Sequence, residues 1–204
     1  IAFLIHFVII IFIAHPIHTE VVTSLKNRDE LLSFLFSILT LRSVMQYAGK
    51  PGISSLASSI VFFILAVMSK ASALVFAALI PLILYFFTET SIKRIFNIFF
   101  ILLIVFLLVR YLPNLFLPPG YRDKEFFENP LLFESTFSTR LGIAFYSLLI
   151  YLKLMFFPHP LLFYYGFEKI PIVGLTNPLV IISVLIHAAL FIYAVIRIKD
   201  KSVI

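Results

Sequence analysis

The chain has 204 residues, of which 62% are hydrophobic and only 13% are charged, and its mean hydropathy is +1.10. A soluble domain of this size has too little interior to bury so much apolar surface, so the composition predicts an integral membrane protein. The net charge of +6 is spread without a run of five or six like charges, which argues against a nucleic-acid partner, and the absence of cysteine excludes disulfides and thiolate metal sites.

The first apolar segment covers residues 1–14 and is predicted to be a transmembrane helix. It spans only about 21 Å of a hydrocarbon layer about 30 Å thick, so we expect this helix to begin upstream of Ile1 in a longer protein. Pro16 lacks the N–H group that would continue the helix. Residues 15–29 are therefore predicted to form an external loop on one side of the membrane, called side X below.

Three further predicted spans follow this loop: 30–47, 54–69 and 71–87. Asp29 and Glu30 lie at the start of the first one, where carboxylates interact favourably with the helix dipole. The apolar stretch 53–87 would measure about 52 Å as one helix, far more than a bilayer requires. We therefore predict a hairpin of two short spans with Lys70 at its apex on side X, where the ammonium avoids the hydrocarbon centre.

The last two predicted spans enclose a long external segment on side X: spans 95–110 and 179–196, and segment 111–178. Within that segment, residues 138–157 are apolar, but Arg140 and Lys153 bracket only twelve uncharged residues, fewer than a span needs. An interfacial or re-entrant helix is predicted there. The predicted fold is thus all-α, a polytopic transmembrane bundle of about six spans plus this additional helix.

Polar residues are concentrated in short motifs at the predicted side X ends of these segments. The motifs are His15-Pro16-Ile17-His18-Thr19-Glu20 with Arg28-Asp29-Glu30, then Met68-Ser69-Lys70-Ala71-Ser72-Ala73, then Phe127-Glu128-Asn129-Pro130-Leu131 with Arg140, and Phe157-Pro158 through Tyr164-Tyr165. In this order they resemble the lumenal motifs of the transmembrane-and-tetratricopeptide-repeat O-mannosyltransferases and their bacterial relatives. The resemblance covers about residues 10–172.

The resemblance implies a membrane-embedded glycosyltransferase domain, present here in part, that uses a polyprenyl-phosphate sugar as donor, and it implies no firm cofactor. Such an enzyme transfers a hexose such as mannose to a protein hydroxyl on the non-cytoplasmic side of the membrane. It also implies a catalytic Asp upstream of Ile1 and a tetratricopeptide-repeat array beyond Ile204, so these residues alone are expected to be inactive. The absence of cysteine and of Asn-x-Ser/Thr sequons favours a bacterial inner membrane over the endoplasmic reticulum membrane.

Sugar transfer from a lipid phosphate requires a base for the acceptor hydroxyl and a cationic clamp for the departing phosphate. The candidate supporting acid is Glu20, with His15 and His18 as hydrogen-bond donors to the sugar. A metal site formed by these three side chains is the alternative. The candidate substrate-binding residues are Arg28, Lys70, Arg122, Asn129 and Arg140.

Each candidate also has a structural interpretation. These are a surface carboxylate for Glu20, helix termination for His15 and His18, a local ion pair with Asp29 or Glu30 for Arg28, and contact with lipid headgroups for Arg140. At Lys70 the family has an acid in the next position. Ala71 stands there in this chain, so a Lys–Glu pair is not expected.

Two other functions are consistent with the sequence. A transporter or flippase for lipid-linked sugars would use ionisable groups at broken helices, with Lys70 and Lys153 as candidates. A non-catalytic scaffold would bind partners through a repeat array. The enzyme hypothesis differs from both because it requires the separated motifs, Glu20 and Arg140 above all, to converge at one rim of the bilayer.

Overall fold

The structure, a computed structural model, describes residues 2–116, 136–162 and 169–200, and within them the chain forms eight α-helices and no β-strand. The helices are α1 Ala2–Ala14, α2 Thr19–Thr23, α3 Arg28–Gly49, α4 Ile53–Ser69, α5 Leu74–Phe87, α6 Ile92–Tyr111, α7 Phe137–Phe156 and α8 Pro178–Arg197. The predicted all-α helical membrane bundle is confirmed. The boundaries of the predicted spans lie within three residues of the observed helices.

Four helical segments are long and apolar enough to cross a membrane: Leu25–Gly49, Ile92–Leu115, Phe137–Phe156 and Pro178–Asp200. Two segments, Ile53–Ser69 and Ala71–Phe87, are shorter apolar helices of about 25 Å each. Phe3–Ala14 and Pro16–Thr23 form a further candidate span that is bent by 46°. The chain is therefore a membrane protein, and its division into six spans stays a prediction.

The chain divides into two compact units. One contains α3 to α6 and is called the α3–α6 unit, and the other contains α1, α7 and α8 and is called the α1/α7/α8 unit. In the α3–α6 unit, buried apolar side chains from all four helices form one cluster: Val44, Ala48, Phe63, Ala66, Val67, Ala73, Ala77, Ile80, Leu84, Ile95, Ile98, Leu102 and Phe106. This cluster is the core of the unit.

Small side chains line the buried face of α3 and let α4 pack closely against it. Ser33, Ser37, Thr40 and Ser43 are all buried there. Their small size brings two helix backbones together, which favours packing where lipid is as apolar as the protein. The hydroxyl of Thr40 donates to the carbonyl of Phe36 on its own helix at 2.8 Å, so its burial leaves no donor unpaired.

The four helices of this unit run alternately up and down. Lys70, just after α4, contacts Asp29 at the start of α3, so α4 is antiparallel to α3. The guanidinium of Arg94, in the first turn of α6, donates to the carbonyl of Ala48 near the end of α3 at 3.0 Å. Cations at both ends thus hold α3, whose 22 residues measure roughly 33 Å.

In the α1/α7/α8 unit, α7 packs on α8 through small and polar groups. The hydroxyl of Ser183 is fully buried and donates to the carbonyl of Phe145 at 2.6 Å. Asn177 caps α8 by accepting a hydrogen bond from the N–H of Leu179 at 2.9 Å, and Pro178 occupies the first position of that helix. These signals explain why α8 begins where the sequence predicts it.

Three details differ from the sequence prediction. The predicted loop 15–29 consists mostly of short helical turns, Pro16–His18, Thr19–Thr23 and Leu25–Asn27, because Pro16 ends α1 but is compatible with a first helical position. The break at Lys70 is present, yet α4 and α5 pack mainly against α3 and α6 and make little direct contact with each other. Helix α7 is continuous over 20 residues and qualifies as a candidate span, while its interfacial placement stays a prediction.

Candidate functional site

A cluster of charged side chains in the α3–α6 unit joins two of the sequence motifs. The ammonium of Lys70 lies 2.8 Å from Oε1 of Glu30 and 3.1 Å from Oδ2 of Asp29. The hydroxyl of Ser72 donates to Oε2 of Glu30 at 3.2 Å. These four residues are called the Lys70 network. It connects the start of α3 to the break between α4 and α5.

The local fold explains how the Lys70 network forms. Helix α4 ends at Ser69, and Lys70 adopts an extended backbone conformation before a short 3-10 turn at Ala71–Ala73. This kink turns the Lys70 side chain and the Ser72 hydroxyl toward the first turn of α3. The remaining oxygen of Asp29, Oδ1, accepts the backbone N–H of Glu30 at 2.9 Å. Each oxygen of the two carboxylates therefore has a partner.

The Lys70 network lies at the surface of the unit, since its charged side chains are 35% to 43% exposed. The hydrogen bond to Glu30 and then that to Asp29 raise the pKa of Lys70 above its ordinary value, against an opposing effect of desolvation. The ammonium therefore remains charged at neutral pH. The two carboxylates and one ammonium carry a net charge of −1.

This arrangement corrects one prediction from the sequence. The absence of an acid after Lys70 argued against a Lys–Glu pair, but α3 supplies two acids about forty positions earlier in the chain. Local pairing of Arg28 with those acids is also not the observed arrangement, because its Nε donates to the carbonyl of Leu25 at 3.0 Å. Because Lys70 and the two acids are so far apart in the sequence, the pattern of neighbouring residues gave no indication of their contact.

His15 forms a second polar junction, in the α1/α7/α8 unit. Its Nδ1 accepts the backbone N–H of Ile17 at 3.2 Å, so a neutral ring carries its proton on Nε2. That nitrogen lies 3.1 Å from the carbonyl of Met155, near the end of α7, and donates to it. Both ring nitrogens of His15 are thus engaged. The imidazole fixes the turn after α1 against α7.

The other candidates of this unit lie at separate positions. The ring of His18 packs on Phe12, with ring centroids 4.6 Å apart. Glu20 is exposed in the first turn of α2, and Arg140 is exposed in the first turn of α7. At about 1.5 Å per residue, Arg140 lies roughly 22 Å along α7 from Met155. The structure therefore does not bring Arg140 next to the His15 junction.

Within the described ranges, no three His, Asp or Glu side chains are grouped to hold a metal ion. His15 would also have to give up its bond to Met155 or to Ile17 in order to bind one. Two substrate-binding candidates, Arg122 and Asn129, lie outside the residues that the structure describes.

Three residues of the Lys70 network, Asp29, Glu30 and Ser72, were not among the predicted site residues. Asp29 and Glu30 were interpreted as acids that favour the start of α3 or pair with Arg28, and Ser72 only as part of its motif. The signal that could have identified them is the shared predicted membrane side of residues 29 and 70. Searches of family models, of curated proteins and of solved structures found no match to this chain.

Proposed function

We propose that this chain is part of an integral-membrane glycosyltransferase that transfers a hexose, such as mannose, from a polyprenyl-phosphate carrier to a protein hydroxyl. The observation that carries this proposal is the Lys70 network. If separated motifs belong to one site, they must meet in space, and the motif of Asp29 and Glu30 meets the motif of Lys70. The contact supports the enzyme without identifying its substrate.

The chemistry needs an acid-rich surface beside apolar helices. In the transfer, the bond between the sugar C1 and the phosphate oxygen breaks, and a bond from C1 to the acceptor oxygen forms. The acceptor proton goes to a carboxylate, and the lipid phosphate leaves with the bonding electron pair. In this proposal Lys70 holds Asp29 and Glu30 in place for sugar recognition, because its ammonium is already paired with them.

The other candidates have supporting roles in this proposal. Glu20 contributes a carboxylate near the membrane surface, and His15 and His18 shape the turn that carries it. Arg28, Arg122, Asn129 and Arg140 remain proposed donor-binding residues. Because α7 places Arg140 far from His15, its participation requires α7 to lie along the membrane surface, as the sequence predicts. The proposed location is the non-cytoplasmic face of a bacterial inner membrane, with the endoplasmic reticulum membrane as alternative.

The experiment measures transfer of a labelled hexose from polyprenyl phosphate to a hydroxyl-bearing peptide, using vesicles that contain the full-length protein. We expect Glu20→Gln and Arg140→Ala each to reduce the rate at least about tenfold, which is about 1.4 kcal/mol of transition-state stabilisation. Glu89→Gln is the matched control, since this acid follows α5 at the other end of the unit from Lys70. Absence of transfer by the wild-type protein would contradict the proposed function.

A lipid-linked sugar flippase is the second candidate, and one observation favours it. Consecutive apolar helices α4 and α5 are interrupted by an ionised cluster, an arrangement found at transporter binding sites. The same vesicles distinguish the two functions. A flippase would move the labelled donor across the membrane without forming a labelled peptide.

A further inference from the structure

A cavity of about 720 Å³ lies where α4 and α6 end in the α3–α6 unit. Its walls carry Lys70 from the break after α4 and Arg110 from the last turn of α6, and Asn114 follows in the next turn. Most of the remaining wall is apolar, with Met68 and Leu112 among its residues. The cavity thus combines two cations with an apolar lining.

An apolar groove continues from this cavity along α6. It has a volume of about 500 Å³ and shares Leu108 and Leu112 with the cavity. Ile104 and Leu107 extend it toward the middle of the helix, away from Arg110. Leu108 and Leu112 are 52% and 47% exposed, so the groove opens sideways to the surroundings of the unit. In a membrane these surroundings are lipid.

The two cations of the cavity differ in how far they are open to an anionic ligand. The ammonium of Lys70 is compensated by Glu30 and Asp29. Arg110 is exposed, and its guanidinium makes no hydrogen bond or ion pair with any residue in 2–116, 136–162 or 169–200. Among the described lining residues, Arg110 is therefore the cation that remains available to a ligand. A guanidinium binds two oxygens of a phosphate in its planar fork, and a phosphodiester carries a single negative charge.

We propose that this cavity and groove bind one anionic phosphoglyceride of the surrounding bilayer. Its phosphodiester contacts Arg110, its headgroup hydroxyls reach Asn114, and one acyl chain lies along the groove toward Ile104. A head at the helix end and a tail toward the helix middle match the orientation of a lipid in a membrane. This inference goes beyond the proposed sugar transfer and does not depend on it.

The lateral opening of the groove favours a bulk lipid over a scarce one. A bilayer phosphoglyceride enters from the side without leaving the membrane, and it is present at high local concentration. A basic residue near an anionic bilayer surface attracts such lipids measurably, and its loss corresponds to about a fivefold change in binding. Occupancy by this lipid would fix the end of α6 next to the Lys70 network.

The test is native mass spectrometry of the full-length protein released from nanodiscs of phosphatidylcholine and phosphatidylglycerol. We expect the wild-type protein to retain one phosphatidylglycerol in preference to phosphatidylcholine, and Arg110→Gln to lower that adduct about fivefold. Lys93→Gln is the matched control, because it removes one charge at the opposite end of α6. Equal thermal unfolding midpoints of both variants would establish that Arg110→Gln is folded.

Three results would overturn the proposal. Arg110→Gln could retain the wild-type adduct, or phosphatidylcholine could be retained equally well. A polyprenyl glycosyl phosphodiester could also displace the lipid at far lower mole fraction, which would assign the cavity to the sugar donor. Loss of the adduct in Arg110→Gln alone, whether or not the protein transfers sugar, would support the lipid site.

Discussion

The interactions that stabilise the interior of each unit differ between the two units of this protein. The α3–α6 unit has a core of large side chains such as Phe63, Ile80 and Leu102, each fully or almost fully buried. In the α1/α7/α8 unit, described large side chains of α1 from Phe3 to Ile13 are 48% to 79% exposed. Contacts there depend more on single polar groups, such as the hydroxyl of Ser183 on the carbonyl of Phe145. Packing of apolar side chains is the main contribution to stability in the α3–α6 unit, and individual hydrogen bonds contribute a larger share in the α1/α7/α8 unit.

The Lys70 network and the His15 junction also differ in the groups that form them. The Lys70 network is charged, joins side chains of two helices and rests on a packed core. The His15 junction consists of hydrogen bonds between one imidazole ring and backbone groups. A site for chemistry needs side chains held in place by rigid neighbours. The comparison therefore directs functional experiments to the Lys70 network first.

The largest effect should come from a cavity in the packed core. Phe63→Ala removes a ring with no exposed surface, and such truncations cost about 3 to 5 kcal/mol because the lost contacts are not replaced. The free energy of unfolding in mixed micelles measures this loss. Phe96→Ala is the matched control, since its ring is 56% exposed and its removal leaves no enclosed cavity. Equal losses for the two variants would contradict the assigned core.

A close backbone approach should make the other unit sensitive at Gly142. A Cβ atom there would lie 2.8 Å from the carbonyl carbon of Gly174 and closer still to the carbonyl oxygen of Val173. Because these are backbone atoms, Gly142→Ala should destabilise the protein by about 1 to 3 kcal/mol. Gly49→Ala meets nothing within 4 Å and serves as the control. An unchanged unfolding midpoint for Gly142→Ala would show that α7 does not approach this turn.

Loss of the His15 junction should lower the free energy of unfolding by less. His15→Ala removes the hydrogen bonds to Ile17 and Met155, and we expect a loss of about 1 kcal/mol, since the junction lies at the surface. The measurement is again the free energy of unfolding. Destabilisation as large as that of Phe63→Ala would mean that the α1/α7/α8 unit depends on this residue far more than its contacts indicate.

The Lys70 network should respond to pH in acid, because Lys70 lowers the pKa of Asp29, and under strongly alkaline conditions, because its carboxylates raise the pKa of Lys70. The hydrogen bond with Glu30 raises the pKa of Lys70 above 10.5, so its contribution is complete below that pH and is lost as pH rises through the higher folded value. The difference in unfolding midpoint between wild type and Lys70→Gln should be constant from about pH 7 to pH 10 and should narrow above. A difference that changes between pH 7 and pH 9 would contradict this assignment.

The helices were predictable from sequence because their signals are local. Pro16 ends α1, Asp29 and Glu30 begin α3, and the length of the stretch 53–87 requires a break. Each of these signals acts within a few residues of its effect. The same holds for Pro178, which opens α8 after the Asn177 cap.

The partners of the polar residues were not predictable in the same way. A Lys–Glu pair was not expected at Lys70 because only the next residue in the sequence, Ala71, was compared with the family motif. Its acids come from α3, and the packing of α3 against α4 brings them into contact. His15 likewise bonds to the backbone of Met155, and any residue type supplies such a carbonyl. Contacts of this kind follow from helix packing.

The most direct test of the central claim is a double-mutant cycle on sugar transfer. Lys70→Gln, Glu30→Gln and the combined variant are compared in vesicles containing the full-length protein, with a labelled polyprenyl-phosphate hexose and a hydroxyl-bearing peptide. If Lys70 and Glu30 act through one contact, each single change should lower the rate about tenfold and the combined variant should lose little more. A shared site would be contradicted if all three variants transferred sugar at the wild-type rate. It would also be contradicted if the combined variant lost the product of the two single-variant reductions in rate.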